Sequence, residues 1–163
     1  MVGGDAAGMS AAAEARRAEP DREITVLERG EDVAYAACGI PYWIAGEVGD
    51  IDDLVAHDAA YFRDRRRIDV RLDAEARAVD PEARTVTLAD GEVLSYGALV
   101  LATGARALRP GVPGVDLPGV LTVRDLADAR RLDALLRSDA AHGRALLVGG
   151  GAIGVEVAEA LLA

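Results

Sequence analysis

Cysteine is nearly absent from this 163-residue chain: Cys38 is the only one, so no internal disulfide can form, which suits a reducing compartment and points to the cytoplasm. Basic residues are outnumbered, 18 Lys plus Arg against 28 Asp plus Glu. The resulting formal net charge of -10 argues against nucleic acid or an anionic membrane as a partner, because both reward a basic surface. No apolar run approaches the roughly 18 residues that a membrane span needs, and no charged leader followed by an apolar segment opens the chain. No cluster of metal-ligating residues stands out. Aromatic residues make up only 4% although hydrophobic residues make up 51%. The apolar content is therefore largely Ala, Val and Leu, the composition of a parallel sheet covered by helices.

What is present is organised around glycine turns. The opening MVGGDAAGMSAAAEARR reads as the end of a strand (Met1 to Gly4), a glycine-rich turn and an alanine-rich helix ending near Arg17. Gly3 and Gly8 take the first and last positions of GxGxxG, with Asp5 where the middle glycine is usual; that arrangement brings a helix N-terminus against a pyrophosphate. The next strand, Glu23 to Leu27, ends in Glu28, which stands 20 residues past Gly8, the spacing at which a carboxylate meets a ribose hydroxyl. Turn, helix, strand and terminal acid together predict a nucleotide site. A glycine-rich helix lead-in without a ligand is the competing explanation.

Farther on, VAYAACGIPY places Cys38 just ahead of a short helix whose first turn contains Pro41. A thiol there lies near unpaired backbone N–H groups, which favour its thiolate; the other reading is a small buried hydrophobe. An acidic loop, Glu47 to Asp53, leads to a helix from about Asp58 to Arg67 with Tyr61 and Phe62 as core anchors, and its Arg63, Arg65, Arg66 and Arg67 suit a solvated C-terminal end. An alternating strand, IDVRL, then ARAVD and the pair RTVTLADGEVLSYG, turning at Asp90-Gly91, form an antiparallel insertion at about 70–96. Leu99 to Leu101 completes a continuous apolar strand ending at Thr103 and Gly104, a place suited to close approach of a ligand, with a plain strand-to-loop exit as the competing explanation.

Residues 1–110 thus read as one nucleotide-binding domain. PGVPGVDLP lies in a linker, 111–123, whose prolines exclude regular structure. A helix from Asp125 to Arg137 follows. A predicted strand, Ala145 to Val148, then runs into Gly149, Gly151 and Gly154, an unbroken GxGxxG at a helix start. The segment 124–163 reads as the truncated beginning of a second nucleotide-binding domain. Its apolar strand and helix, lacking a partner sheet, should be marginally ordered or sticky.

The order GGDAAGMSAA, ERG, YAACGIPYWIAG, LVLATGA and VGGGAIGVEVAE resembles the flavin-dependent pyridine nucleotide-disulfide oxidoreductases, and most of all their single-cysteine branch of coenzyme A disulfide reductases and NADH oxidases. The resemblance implies an incomplete α/β, Rossmann-like FAD/NAD(P)-binding fold, with FAD on the first turn and NAD(P)H on the second. Gly3, Gly4, Asp5, Ala6, Ala7 and Gly8 would face the FAD pyrophosphate and Glu28 the adenosine ribose. Arg29 would lie on the adenine side, Ala76 would offer backbone contact there, and Thr103 with Gly104 would close over the cofactor. Cys38 would be the catalytic nucleophile, taking electrons that pass from NAD(P)H through the flavin and delivering them to a low-molecular-weight disulfide, coenzyme A disulfide or polysulfide, or oxygen. Positions matching a coenzyme A pocket are Ser10, Glu14, Arg17 and Arg66. A homodimer is implied for the complete protein.

The departures are specific. Ala34 stands where the branch carries Ser or Thr, Ala37 where Asn is common, Ala6 where the peroxidase members have His, and Glu14 where Gln is expected. Family members continue through further domains, so these 163 residues are expected to act in catalysis only as part of a longer chain, and a non-catalytic FAD-binding fragment is the alternative. A ferredoxin reductase-type flavoprotein that works without the cysteine is another, though it gives no reason for CGIPY.

Overall fold

The computed structural model describes residues 1–138 and 143–163. They fall into two compact units, Met1–Tyr35 with Val55–Gly104, and Ala36–Leu54 with Ala105–Ala163.

In the first unit, helix α1 (Ala6–Ala18) leads to strand β1 (Thr25–Leu27), and helix α3 (Ala59–Arg66) to strand β2 (Asp69–Arg71). β1 and β2 pair in parallel, and Val2 bridges Leu27 on one side and Leu101 on the other, also in parallel. Reading across, the order is β2, β1, Val2, Leu101: third, second, first, fourth in the chain, the order of a doubly wound nucleotide-binding sheet. Successive strand residues face opposite sides of a sheet, and Val26 and Leu27 show the consequence. Val26 joins Met9, Ala12, Ile24, Val33, Phe62, Ile68 and Val70 beneath α1 and α3, whereas Leu27 joins Val2, Val86 and Leu88 on the other face. The second face is covered by an antiparallel sheet of β3 (Ala76–Asp80), β4 (Thr85–Leu88) and β5 (Val93–Ser95).

The helix ends follow from sequence. Asp58 caps α3 by accepting from the Tyr61 N–H at 2.7 Å, and Arg67 closes it in the left-handed conformation. Phe62 is buried and Tyr61 packs beside the same cluster. The Asp90-Gly91 turn forms as expected, with Gly91 at φ 92° and the Asp90 carboxylate accepting from the Glu92 N–H.

Several expected elements differ. β1 starts at Thr25 rather than Glu23. The antiparallel segment begins at Ala76 rather than near residue 70, because β2 takes the parallel place beside β1. From there ARAVD and the two halves of the turn-linked pair form a three-stranded meander. Leu99 to Leu101 is not a strand: Val2 offers a single rung, only Leu101 bridges to it, and the Leu101 side chain stays exposed.

The second unit carries α2 (Ile40–Ile44), α4 (Leu126–Leu136) and α5 (Ala152–Ala160), with α2 lying beside both of the others. Asp125 caps α4 through the Asp128 N–H. The buried Asp128 carboxylate accepts from the Thr122 hydroxyl at 2.8 Å, the Arg124 N–H and the Arg131 guanidinium, so its charge is compensated on several sides. Ala145 to Val148 forms no strand, since no neighbouring strand among the described residues offers it a ladder. Leu146 is 90% and Val148 82% exposed.

One side chain ties the helix ends of the first unit together. The Arg16 guanidinium donates to the carbonyls of Pro20, Arg22, Arg66 and Arg67, joining the C-terminal end of α1 to that of α3. Only the rigid fork of an arginine serves so many acceptors at once. Arg16→Ala should lower unfolding stability by about 1–2 kcal/mol, and Arg16→Lys should recover little of it, as read by denaturant titration. Wild-type stability in the alanine variant would show that water replaces these bonds without cost.

Candidate nucleotide site and redox cysteine

The first glycine turn is shaped by close contact. Gly3 has φ 108°, and a Cβ on it would run into the Ala102 carbonyl and lie 3.3 Å from the Thr103 nitrogen. A Cβ on Gly4 would meet the Glu28 and Val33 side chains, each at 2.9 Å, and one on Gly8 would overlap the Gly3 carbonyl oxygen. α1 therefore begins directly against the turn, with Asp5 as its N-cap residue. The first-turn N–H groups of Ala6, Ala7 and Gly8 have no acceptor inside the helix. They and the helix dipole form the partial positive charge that an anion requires.

Glu28 closes the turn. One carboxylate oxygen accepts from the Gly4 N–H at 2.7 Å and the other from the Gly30 N–H at 2.9 Å. Each carboxylate oxygen has a second lone pair, so a ribose hydroxyl can still be accepted. The turn and Glu28 thus fit the pyrophosphate and ribose of a dinucleotide, and the Thr103 backbone lies against Gly3. Asp5 is the discordant residue, since its carboxylate brings negative charge to the helix end that would receive a phosphate. Arg29 is exposed beside Glu28, and Ala76 begins β3 opposite Leu88 at an irregularity in the ladder.

Three residues that help build this site were not among the sequence candidates. Ala102 and Val33 wall the turn, and Ala34, itself bonded to Ala56, holds it through a backbone bond to Gly4. Small apolar side chains that act by shape or through the main chain carry no chemical signature in a sequence.

Ser10, Glu14 and Arg17 follow one another at i, i+4 and i+7 and share an exposed face of α1. Arg17 is ion-paired with Glu14 within the helix. Arg66 is exposed at the end of α3, its guanidinium 5.8 Å from the Tyr61 ring centre, and that ring stacks on His57.

In the second unit Cys38 is exposed, which excludes the buried-hydrophobe reading. It lies in a 3-10 turn, Ala37–Gly39, just ahead of α2, whose first turn contains Pro41. Leu54 holds this turn: its carbonyl accepts from the Ala36 N–H, and its side chain fills the space where a Gly39 Cβ would stand. Ile40 and Pro41, directly after it, are buried, so an anchored backbone carries an accessible thiol. The second glycine turn repeats the first locally. Gly149 has φ 118°, Gly151 is the N-cap of α5, and a Cβ on Gly154 would overlap the Gly149 carbonyl oxygen, as Gly8 does with Gly3.

A family model for pyridine nucleotide-disulphide oxidoreductases matches residues 1–163. The chain belongs to the pyridine nucleotide-disulphide oxidoreductase family. Among family relatives, it is 38% identical over 164 residues to an NAD(P)H sulfur oxidoreductase (CoA-dependent) of Pyrococcus abyssi, covering 100% of this chain and 36% of that protein. It is 33% identical over 165 residues to an NADH oxidase of Methanocaldococcus jannaschii, covering 99% of this chain and 37% of that protein. The solved structure of an NAD-dependent persulfide reductase from A. fulgidus superposes with a TM-score of 0.93 at 36% identity, over 99% of this chain and 30% of that one. The chain thus spans little more than a third of the curated relatives it matches. No helix among the described residues is long and apolar enough to cross a membrane.

The Gly8 contact reverses an ordinary expectation. Gly→Ala inside a helix usually stabilises, by about 1 kcal/mol, but at Gly8 the added methyl meets backbone that cannot yield. Gly8→Ala should destabilise by about 1–3 kcal/mol in thermal or denaturant unfolding. A variant as stable as wild type would mean that the helix can withdraw from the turn.

Proposed function

We propose that this chain supplies the FAD-holding turn, the redox cysteine and the opening nicotinamide-holding turn of an NAD(P)H-dependent flavoprotein that reduces a low-molecular-weight disulfide, persulfide or polysulfide, or oxygen. The observation that carries this reading is the Gly3 to Gly8 turn locked by Glu28, together with an exposed Cys38 on a pinned backbone. The activities for which the relatives are named, sulfur reduction and NADH oxidation, support the same class.

Gly3, Gly4 and the first-turn N–H groups of Ala6, Ala7 and Gly8 would bind the FAD pyrophosphate, and Glu28 would orient the adenosine ribose. Arg29, Ala76, Thr103 and Gly104 would border the same cofactor, and Gly149, Gly151 and Gly154 would receive NAD(P)H. The Cys38 thiolate would attack one sulfur of a disulfide: a bond to Cys38 forms, the substrate's S–S bond breaks, and the second sulfur leaves as a thiolate. These 163 residues offer Cys38 no second cysteine, so within them its oxidised form would be a mixed disulfide or a sulfenic acid. FAD in this site would carry from NAD(P)H the two electrons that return Cys38 to the thiol.

The test is direct. Purified as part of the longer protein, the chain should be yellow or take up added FAD, and Cys38→Ser there should keep the colour while losing reduction of coenzyme A disulfide or polysulfide by NADH. A protein that takes up no FAD, or a serine variant with undiminished disulfide reduction, overturns the assignment.

Ser10, Glu14, Arg17 and Arg66 would form the acceptor pocket if the acceptor is a coenzyme A disulfide. Arg17 is the natural partner of a phosphate there, and its pairing with Glu14 competes with that role. Glu14→Gln should therefore tighten coenzyme A binding by up to roughly fivefold, the scale of an exposed ion pair, and the gain should shrink with added salt. Unchanged affinity measured by calorimetry would place the phosphates elsewhere.

A further inference from the structure

Among the described residues, four that are not glycine adopt left-handed backbone: Ala34, Arg67, Asp73 and Arg84. Arg67 ends a helix, Arg84 closes the turn between β3 and β4, and Asp73 follows β2. Ala34 has no such excuse in its surroundings. It sits between the buried Val33 and Tyr35, which bridges Val55 in an antiparallel sense. An extended residue in a ladder directs its N–H and C=O to one neighbour. Ala34, at φ 50°, serves two: its N–H donates to the Gly4 carbonyl at 2.9 Å, and its own carbonyl accepts from the Ala56 N–H at 3.0 Å.

The consequence falls on the glycine turn. The Gly4 N–H is already held by Glu28, so Ala34 completes the grip on both polar groups of Gly4. A trans peptide is planar, and fixing the Gly4 carbonyl fixes the whole plane through the nitrogen of Asp5, the residue at the N-cap position of α1. We infer that Ala34 is a positioning residue for the anion-binding turn: its left-handed backbone sets the Gly4–Asp5 peptide plane and thereby the aim of the first N–H groups of α1. This role rests on the reading of that turn as the FAD pyrophosphate site. It belongs to the main chain of Ala34, so a side chain at this position matters mainly through the φ it permits.

Two substitutions separate the backbone role from mere packing. Ala34→Gly keeps the N–H and adopts positive φ freely, whereas Ala34→Val keeps the N–H but resists left-handed backbone. FAD affinity, read by quenching of flavin fluorescence, should stay within about threefold of wild type for glycine and fall by about tenfold or more for valine, the scale of a lost hydrogen bond to a charged ligand. If wild type takes up no FAD, the reading of the turn fails. If wild type and Ala34→Val bind alike, that reading stands and the inference falls. Should the valine variant not fold, amide hydrogen exchange of the wild-type protein without ligand decides. A protected Ala34 N–H supports the inference, and one exchanging as fast as the amides of exposed loops overturns it.

Discussion

The first unit depends on how closely α1 can begin against the turn before it. With no side chain on Gly8, the helix starts in contact with the Gly3 carbonyl, and with none on Gly3 the turn presses on Ala102. From this packing follow the place of Val2 between Leu27 and Leu101, and the convergence of first-turn N–H groups on one point. The same approach brings Gly4 within reach of Glu28, so a carboxylate from the end of one strand fastens the end of its neighbour. Fold and candidate site are one arrangement here. The glycines that permit the packing are those of the proposed phosphate turn.

The two glycine turns show which part of this is local. Both place the first glycine at positive φ and bring the last against the first one's carbonyl, so the closure of GxGxxG at a helix start is a property of the motif. Their surroundings differ. Gly3 is walled by Ala102, whereas a Cβ on Gly149 would meet nothing within 4 Å. The first turn is held by a sheet on both sides, and the second follows a segment whose Leu146 and Val148 lie open. A strand is a relation between segments: an apolar run with no ladder partner keeps its β propensity and gains no strand.

Cys38 illustrates a different division of labour. Its anchoring comes from neighbours that make no chemical contribution, the buried Ile40 and Pro41 and the side chain and carbonyl of Leu54. Precision in the thiol's position is supplied by apolar packing, and accessibility by its place in a short turn. Losing the hydrogen-bonding groups expected at residues 34 and 37 leaves this mechanical support intact.

The sequence by itself determined the elements whose cause is local: the glycine turns, the caps Asp58 and Asp125, the Asp90-Gly91 turn and the helices. These depend on φ preference, on hydrogen bonds a few residues apart, or on a motif with fixed spacing, and all of them can be read along the chain. Tertiary structure decided what depends on partners distant in sequence. It left Leu99 to Leu101 with a single bridge, placed β2 in the parallel sheet and not in the antiparallel one, and gave Ala145 to Val148 no ladder. It also turned Ala34, chemically the plainest residue near the site, into a left-handed link between Gly4 and Ala56. A main-chain hydrogen bond across such a distance depends on where the backbone is held and not on which side chain it carries, so no residue type announces it.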